Sequence, residues 1–218
     1  MSAYTRPHPL PHLTIGTLGP RGHGKTTLAR ALSAARPCAL RAAPDLYRRR
    51  FGYATDTRRY TVLDPADDPD RFDPADDPDR LDPADDPDRF DGADDPARLD
   101  GALLVVSVLE GARTGAAAHL AHARRAGPLP LVVALTKADQ GSDELTDLVE
   151  ADVRALLTAH GHAGDTLPAV RVSALGSLAG DPRWRGATEA LLDAVDTYVP
   201  LPGGGEGRRG PRDPRPVG

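Results

Sequence analysis

The sequence predicts a three-layer α/β fold, in which a mostly parallel β-sheet carries helices on both faces. Short apolar runs recur along the chain without polar alternation, which is typical of strands that are buried on both faces. Segments with helical spacing of apolar residues separate these runs. A glycine-rich loop also joins the first apolar run to the first helical segment. Together these features predict a parallel sheet covered by helices on both faces.

The first elements flank the glycine-rich loop. Residues 12–18 form an apolar run and predict the first strand, and residues 26–35 follow the loop as the first helix. Residues 58–63 predict the second strand, which ends at Asp64.

The later elements alternate regularly. Residues 102–108 and 129–135 are continuous apolar runs and predict buried strands. Residues 113–126 predict the helix between them. We expect this helix to end there because Gly127-Pro128 follows.

Cap and stop signals mark the third helix. Ser142 can cap a helix over residues 143–160, and Gly161 is a stop signal. Residues 168–172 then predict the last strand, and residues 186–198 predict the last helix.

The predicted domain covers residues 12–201, after an N-terminal extension of residues 1–11 and before a tail of residues 202–218. The tail consists mostly of Gly, Pro and Arg, a composition that predicts disorder. Residues 64–100 form an insert built on a nine-residue acidic repeat. Because each repeat offers one apolar residue and several carboxylates, we expect an extended, disordered loop. Calcium binding by the Asp clusters is the alternative.

Charge is distributed unevenly. The insert holds sixteen Asp and four Arg, a net charge of −12, whereas the whole chain carries −5, so the remainder carries +7. The remainder lacks a long basic stripe, so we expect no direct DNA binding. The first residues lack the apolar core of a signal peptide, and the longest apolar stretch is too short to span a membrane. These features predict a cytoplasmic protein without membrane contact.

The glycine-rich loop carries the strongest motif. Residues 19–26 fit G-x-x-x-x-G-K-[ST] between a predicted strand and a predicted helix, the context in which this motif binds phosphates. Lys25 would contact the β- and γ-phosphates, and the Thr26 hydroxyl would bind magnesium. Only two of the 27 basic residues are lysines, Lys25 and Lys137. The candidate nucleotide-binding residues of the loop are Gly19, Arg21, Gly22, His23, Gly24, Lys25, Thr26 and Thr27.

A second motif predicts which nucleotide base the site binds. Asp139 of Thr136-Lys137-Ala138-Asp139 can accept two hydrogen bonds from the N–H edge of guanine, which adenine lacks. Lys137 would lie along the base, and Thr136 completes the motif. Ser173, Ala174 and Leu175 follow the last predicted strand and could donate a backbone N–H to the guanine oxygen. These motifs lie at strand ends in the expected order and predict a GTP- and GDP-binding site.

The chain resembles the GTP-binding domain of elongation factor Tu. The matching segments are residues 11–19, 23–27, 57–60, 99–106, 136–139, 173–175, 180–182 with Trp184, and 193–200. The resemblance covers most of residues 7–35, 53–64 and 97–202.

The resemblance implies a P-loop GTPase fold that binds GTP and GDP with magnesium, and Asp64 as a second metal-binding residue. It also implies the ribosome, tRNA and an exchange factor as partners. Asp67 and Asp68 stand where the family has the Gly and His of D-x-x-G-H, and Thr136 stands where it has Asn. The expected activity is therefore slow GTP hydrolysis, with GDP bound at least as well as GTP, and we assign no catalytic residue. A degenerate domain that acts as a nucleotide-binding or interaction module without useful hydrolysis is the alternative.

Overall fold

A computed structural model describes residues 10–38, 48–65, 99–112, 116–125 and 129–201. These ranges contain six strands and five helices. In chain order they are β1 (His12–Leu18), α1 (Lys25–Ala35), β2 (Arg48–Ala54), β3 (Arg59–Pro65), β4 (Gly101–Ser107), α2 (Ala116–Arg125), β5 (Leu131–Thr136), α3 (Asp143–Ala159), β6 (Ala169–Arg171), α4 (Ala174–Leu178) and α5 (Pro182–Tyr198).

The strands form one sheet in the order β2-β3-β1-β4-β5-β6. Strands β3, β1, β4, β5 and β6 run parallel to one another, and β2 pairs antiparallel with β3 at the edge of the sheet. The predicted α/β fold with a mostly parallel sheet is confirmed.

Two apolar cores cover the two faces of the sheet. Alternate residues of β4 point to opposite sides, as the pleat requires, so Leu103 and Val105 join one core while Leu104 and Val106 join the other. Helices α1 and α5 pack on the first face, and α2 and α3 pack on the second. This burial of β4 and β5 on both faces explains their unbroken apolar sequences.

Most elements lie where the sequence predicts them, and β1 has the predicted bounds. Helix α5 begins at Pro182 rather than at residue 186, because the Asp181 side chain accepts a hydrogen bond from Arg183 N at 2.9 Å and caps the helix. Proline suits the first turn of a helix, where an N–H is not needed. This capping signal was present in the sequence and was overlooked.

Strand β2 and helix α4 were not predicted from the sequence. Strand β2 begins with three arginines and contains Gly52, so it shows no apolar run. Its pairing with β3 stabilises it, and stacking of Tyr53 on Tyr60, with ring centroids 4.7 Å apart, contributes to that pairing. Helix α4 has only five residues and is too short for a periodic signal.

Several predictions lie outside the described residues. These are the structure of the acidic repeat beyond Pro65 and up to residue 98, the tail of residues 202–218, most of the N-terminal extension, and the ends of the helix predicted at 113–126. The positions of Asp67 and Asp68 also fall there. In the part of the chain that is described, no helix is long and apolar enough to cross a membrane.

Candidate functional site

Five parallel strands deliver the candidate site residues to one edge of the sheet. The loop that starts at Gly19 follows β1, and Asp64 lies near the end of β3. Glu110 comes shortly after β4, Lys137 directly after β5, and Ser173 soon after β6. Ligands of open α/β sheets bind at the carboxyl ends of the strands, so this edge is the expected place for a site.

The loop between β1 and α1 wraps around the ammonium group of Lys25. Lys25 Nζ donates hydrogen bonds to the carbonyl oxygens of Gly19 at 2.6 Å and Pro20 at 2.7 Å. Gly24 is the N-cap residue of α1 and adopts a left-handed conformation, with φ 89°. Because it is glycine, no side chain at this position accepts a hydrogen bond from the helix. The first-turn N–H groups of α1 therefore have no side-chain cap acceptor, which suits an anion at the helix N-terminus.

Gly19 makes the sharp turn out of β1 possible. Its φ is +134°, and a Cβ atom at this position would overlap the carbonyl oxygen of Val105 on β4. We expect Gly19→Ala to lower the free energy of unfolding by about 2–4 kcal/mol, through backbone strain and overlap. Urea unfolding followed by circular dichroism measures this change.

Gly186→Ala is the matched control for that variant. Gly186 lies within α5, and a Cβ atom there meets no atom within 4 Å. Because alanine favours helix over glycine, this change is expected to raise the free energy of unfolding by about 0.5–1 kcal/mol. Equal effects of the two variants would contradict the steric role of Gly19.

Thr26 and Asp64, the two predicted metal ligands, lie in direct contact. Thr26 Oγ1 donates to Asp64 Oδ2 at 2.6 Å, and Thr17 Oγ1 donates to Asp64 Oδ1 at 3.0 Å. Asp64 is fully buried, and these hydroxyls satisfy its carboxylate in place of water. A hydroxyl and a carboxylate are oxygen donors of the kind magnesium prefers, so the chemistry of this pair fits that ion.

The predicted base motif is joined to the phosphate loop through Thr136. Its hydroxyl is buried and donates to the carbonyl oxygen of His23 at 2.6 Å. Lys137 adopts a left-handed conformation at φ 57°. Ala138 N donates to Val172 O at 3.2 Å, which ties this loop to the end of β6. Asp139 is exposed at the same edge.

Removal of the Thr136 hydroxyl should loosen this connection. Thr136→Val keeps the shape but leaves the buried His23 carbonyl without its donor, and we expect a loss of about 1–3 kcal/mol in the free energy of unfolding. Urea unfolding of the variant gives this value. Thr136→Ser keeps the hydroxyl and should behave like the native chain, and an equal loss in both variants would contradict the role of the hydrogen bond.

Ser173 has a structural role in addition to its predicted one. Its buried side chain accepts a hydrogen bond from Gly176 N at 3.0 Å and caps α4. Ala174 is buried, and Leu175 is 65% exposed beside it. Their position after β6 places this turn next to the loop that holds Asp139.

The remaining predicted residues belong to the loop surface and the start of α1. Arg21 and Gly22 are exposed, Gly22 with φ +79°, and Thr27 is half-buried in the first turn of α1. The structure therefore brings every predicted loop residue to the same edge as the base motif.

Glu110 forms a charged cluster that sequence reasoning missed. Its carboxylate accepts a hydrogen bond from Lys137 Nζ at 2.8 Å, and it lies 3.6 Å from His23 Nε2. Burial would raise the pKa of Glu110, but hydrogen bonds from Lys137 and Ser107 outweigh it and lower that pKa. Burial lowers the pKa of His23, and its Nδ1 accepts from Ser107 N at 3.1 Å. The cluster thus links both loops a second time.

Two further residues at this edge were also missed, Thr17 and Arg49. Thr17 lies within β1 and contacts Asp64, and Arg49 on β2 contacts Thr26. Glu110 could have been found as a polar residue that follows a buried strand. Thr17 and Arg49 carry no such signal, because only the pairing of β1 and β2 with β3 places them here.

The fold and these linked loops define a nucleotide-binding domain with a phosphate loop at the carboxyl edge of a parallel sheet. The family model described as "Elongation factor Tu GTP binding domain" matches residues 95–201. Elongation factor Tu 2 of Streptomyces avermitilis is 45% identical over 224 residues, which cover 92% of this chain and 51% of that relative.

The chain contains a GTP-binding domain of the elongation factor Tu type. It spans about half the length of the curated relative that it matches. These similarities favour a translation-factor-type guanine-nucleotide-binding domain over the alternative of a degenerate interaction module.

Proposed function

We propose that this domain binds GDP and GTP with the phosphates in the loop of residues 19–27 and the base against Asp139, and that it hydrolyses GTP slowly. The observation that carries the proposal is the hydrogen bond from Thr136 to the His23 carbonyl. It joins the loop that would hold the phosphates to the loop that would hold the base, so a bound nucleotide would contact both at once.

Guanine selection rests on the exposed carboxylate of Asp139 at the end of β5. Guanine offers two N–H groups to this carboxylate, and an adenine base would leave the charge without a donor. Lys137, held by Glu110 at 2.8 Å, would lie along the base. The turn of Ser173, Ala174 and Leu175 would supply a backbone N–H to the guanine oxygen.

Magnesium is the metal that we propose for the Thr26–Asp64 pair, with Thr26 as a direct ligand and Asp64 acting through water. When bound, this ion would neutralise charge on the β- and γ-phosphates. The chain's own part is to hold the two oxygens 2.6 Å apart, with Asp64 fully buried and Thr26 half-buried.

The weaker part of the proposed site is the γ-phosphate end. Asp67 and Asp68 stand where the family pattern has Gly and His, and a carboxylate near a phosphate is repulsive unless a metal intervenes. We propose that GDP therefore binds at least as well as GTP and that hydrolysis is slow.

We also propose a partner class and an organisation for the chain. The similarity to the relative named Elongation factor Tu 2 supports the ribosome, tRNA or an exchange factor as proposed partners. Residues 12–201 would form the domain, with the acidic repeat as an insert, and the proposed location is the cytoplasm.

Fluorescence titration tests the proposal. Nucleotide-free protein is titrated with a fluorescent GDP analogue in magnesium, and unlabelled GDP, GTP and ATP then compete for the site. The proposal expects displacement by GDP and GTP but not by ATP, with GDP at least equal to GTP. Displacement by ATP at similar concentrations would contradict the base assignment, and an absence of binding would contradict the proposal as a whole.

A further inference from the structure

Strand β2 brings an arginine to the proposed metal and phosphate position. In the antiparallel pairing of β2 with β3, Arg49 is the register partner of Asp64. Arg49 Nη1 donates a hydrogen bond to Thr26 Oγ1 at 3.3 Å. An exposed arginine on an edge strand therefore reaches the Thr26 hydroxyl in the first turn of α1.

The Thr26 hydroxyl is shared between opposite charges. It donates its proton to Asp64 at 2.6 Å and accepts from the guanidinium of Arg49. A hydroxyl has one donor and two lone pairs, so one lone pair is already committed to Arg49. The buried carboxylate of Asp64 is connected in this way to a cation of the chain itself.

A guanidinium and a magnesium ion that both contact Thr26 would lie close together. Magnesium binds oxygen at about 2.1 Å, so an ion on Thr26 could lie no farther than about 5.4 Å from Arg49 Nη1. Two cations so close together repel each other, and each therefore lowers the occupancy of the other. Arginine also has five N–H donors in a planar arrangement that matches phosphate oxygens.

We propose that Arg49 supplies the positive charge at the Thr26–Asp64 pair and donates to the nucleotide phosphates, so that GDP binding depends only weakly on magnesium. This inference rests on the proposed function of the site as a guanine-nucleotide site. Arg49 is then a binding residue that supplies positive charge which magnesium would otherwise supply, and its removal should make GDP binding dependent on the metal.

Equilibrium binding with and without magnesium tests the inference. Native protein, Arg49→Ala and Arg50→Ala are titrated with a fluorescent GDP analogue in magnesium and in EDTA. Native protein should lose less than about threefold in affinity in EDTA, whereas Arg49→Ala should lose roughly 10- to 100-fold, the range of a hydrogen bond to a charged group. At a fixed GDP concentration, the fraction of Arg49→Ala that binds GDP should also rise with magnesium concentration until it saturates.

Arg50→Ala is the matched control. Arg50 is the next residue of β2, and successive side chains of a strand point to opposite faces, so this variant removes the same charge away from Thr26. It should match the native protein in both buffers. Arg49→Lys keeps the charge without the planar group and should fall between Arg49→Ala and the native protein. Circular dichroism checks that every variant folds.

The outcomes separate the two proposals. If native protein and Arg49→Ala lose affinity equally in EDTA, or if neither loses any, the role of Arg49 is wrong while the nucleotide site stands. If native protein fails to bind GDP even with magnesium, the proposed function is wrong and this inference is wrong with it.

Discussion

Lys25→Ala is expected to reduce GDP affinity by roughly 100-fold or more, because it removes a charge-assisted contact to the β-phosphate from a buried position. The Lys25 ammonium is held by the carbonyl oxygens of Gly19 and Pro20 at 2.6 and 2.7 Å. The loop therefore positions this cation before any anion is present, and alanine cannot replace it. Titration with a fluorescent GDP analogue measures the loss.

Arg30→Ala is the control for charge alone. Arg30 is exposed on the same helix, so its removal changes the net charge equally but leaves the phosphate loop unchanged, and affinity should stay within about twofold. Lys25→Arg adds a test of shape, since a planar guanidinium does not match the enclosure formed by the two carbonyls. Binding by Lys25→Ala within threefold of the native protein would refute the phosphate assignment of the loop.

Asp139→Ala is expected to abolish the preference for guanine. A site that hydrogen-bonds a substrate N–H pair can reject an analogue without it by roughly 10⁴-fold, and the carboxylate of Asp139 is the group proposed to do so. GDP affinity should fall toward that of ADP, while ADP affinity stays the same or rises. Competition of GDP and ADP against a fluorescent nucleotide measures both constants.

Asp165→Ala is the matched control for the loss of a carboxylate. Asp165 is exposed before β6, at the opposite edge of the sheet from the proposed base. The ratio of GDP to ADP affinity should be unchanged in this variant. If Asp139→Ala still excluded ADP, other groups would have to recognise the base, and the proposed role of the Lys137 loop in base recognition would be wrong.

The charged cluster around Glu110 shows how these two sites are coupled. Glu110 holds Lys137 at 2.8 Å and faces His23 of the phosphate loop at 3.6 Å. Thr136 bonds to the same histidine through its backbone carbonyl. Direct contacts therefore join the loop of the proposed base site to the phosphate loop.

Much of the fold could be predicted from the sequence because local patterns decided it. The apolar runs of β4 and β5 are buried on both faces, and burial requires such runs. The phosphate-loop motif was also readable, since its glycines and Lys25 have defined conformational and chemical roles. The presence of Ser142 before α3 was enough to place the start of that helix, where its side chain accepts from Leu145 N.

The sequence alone predicted nine of the eleven described elements in their chain order, together with the phosphate loop and the candidate base motif, because each depends on residues that are neighbours in the chain. Only the tertiary structure decided that Arg49 lies beside Thr26 and that Thr17 contacts Asp64. These contacts join residues separated by 23 and 47 positions and depend on the pairing of β2 and β1 with β3. The packing of the strands' apolar faces on a common core and the geometry of the connections set that register, so the residues of one strand read alone do not reveal its partners.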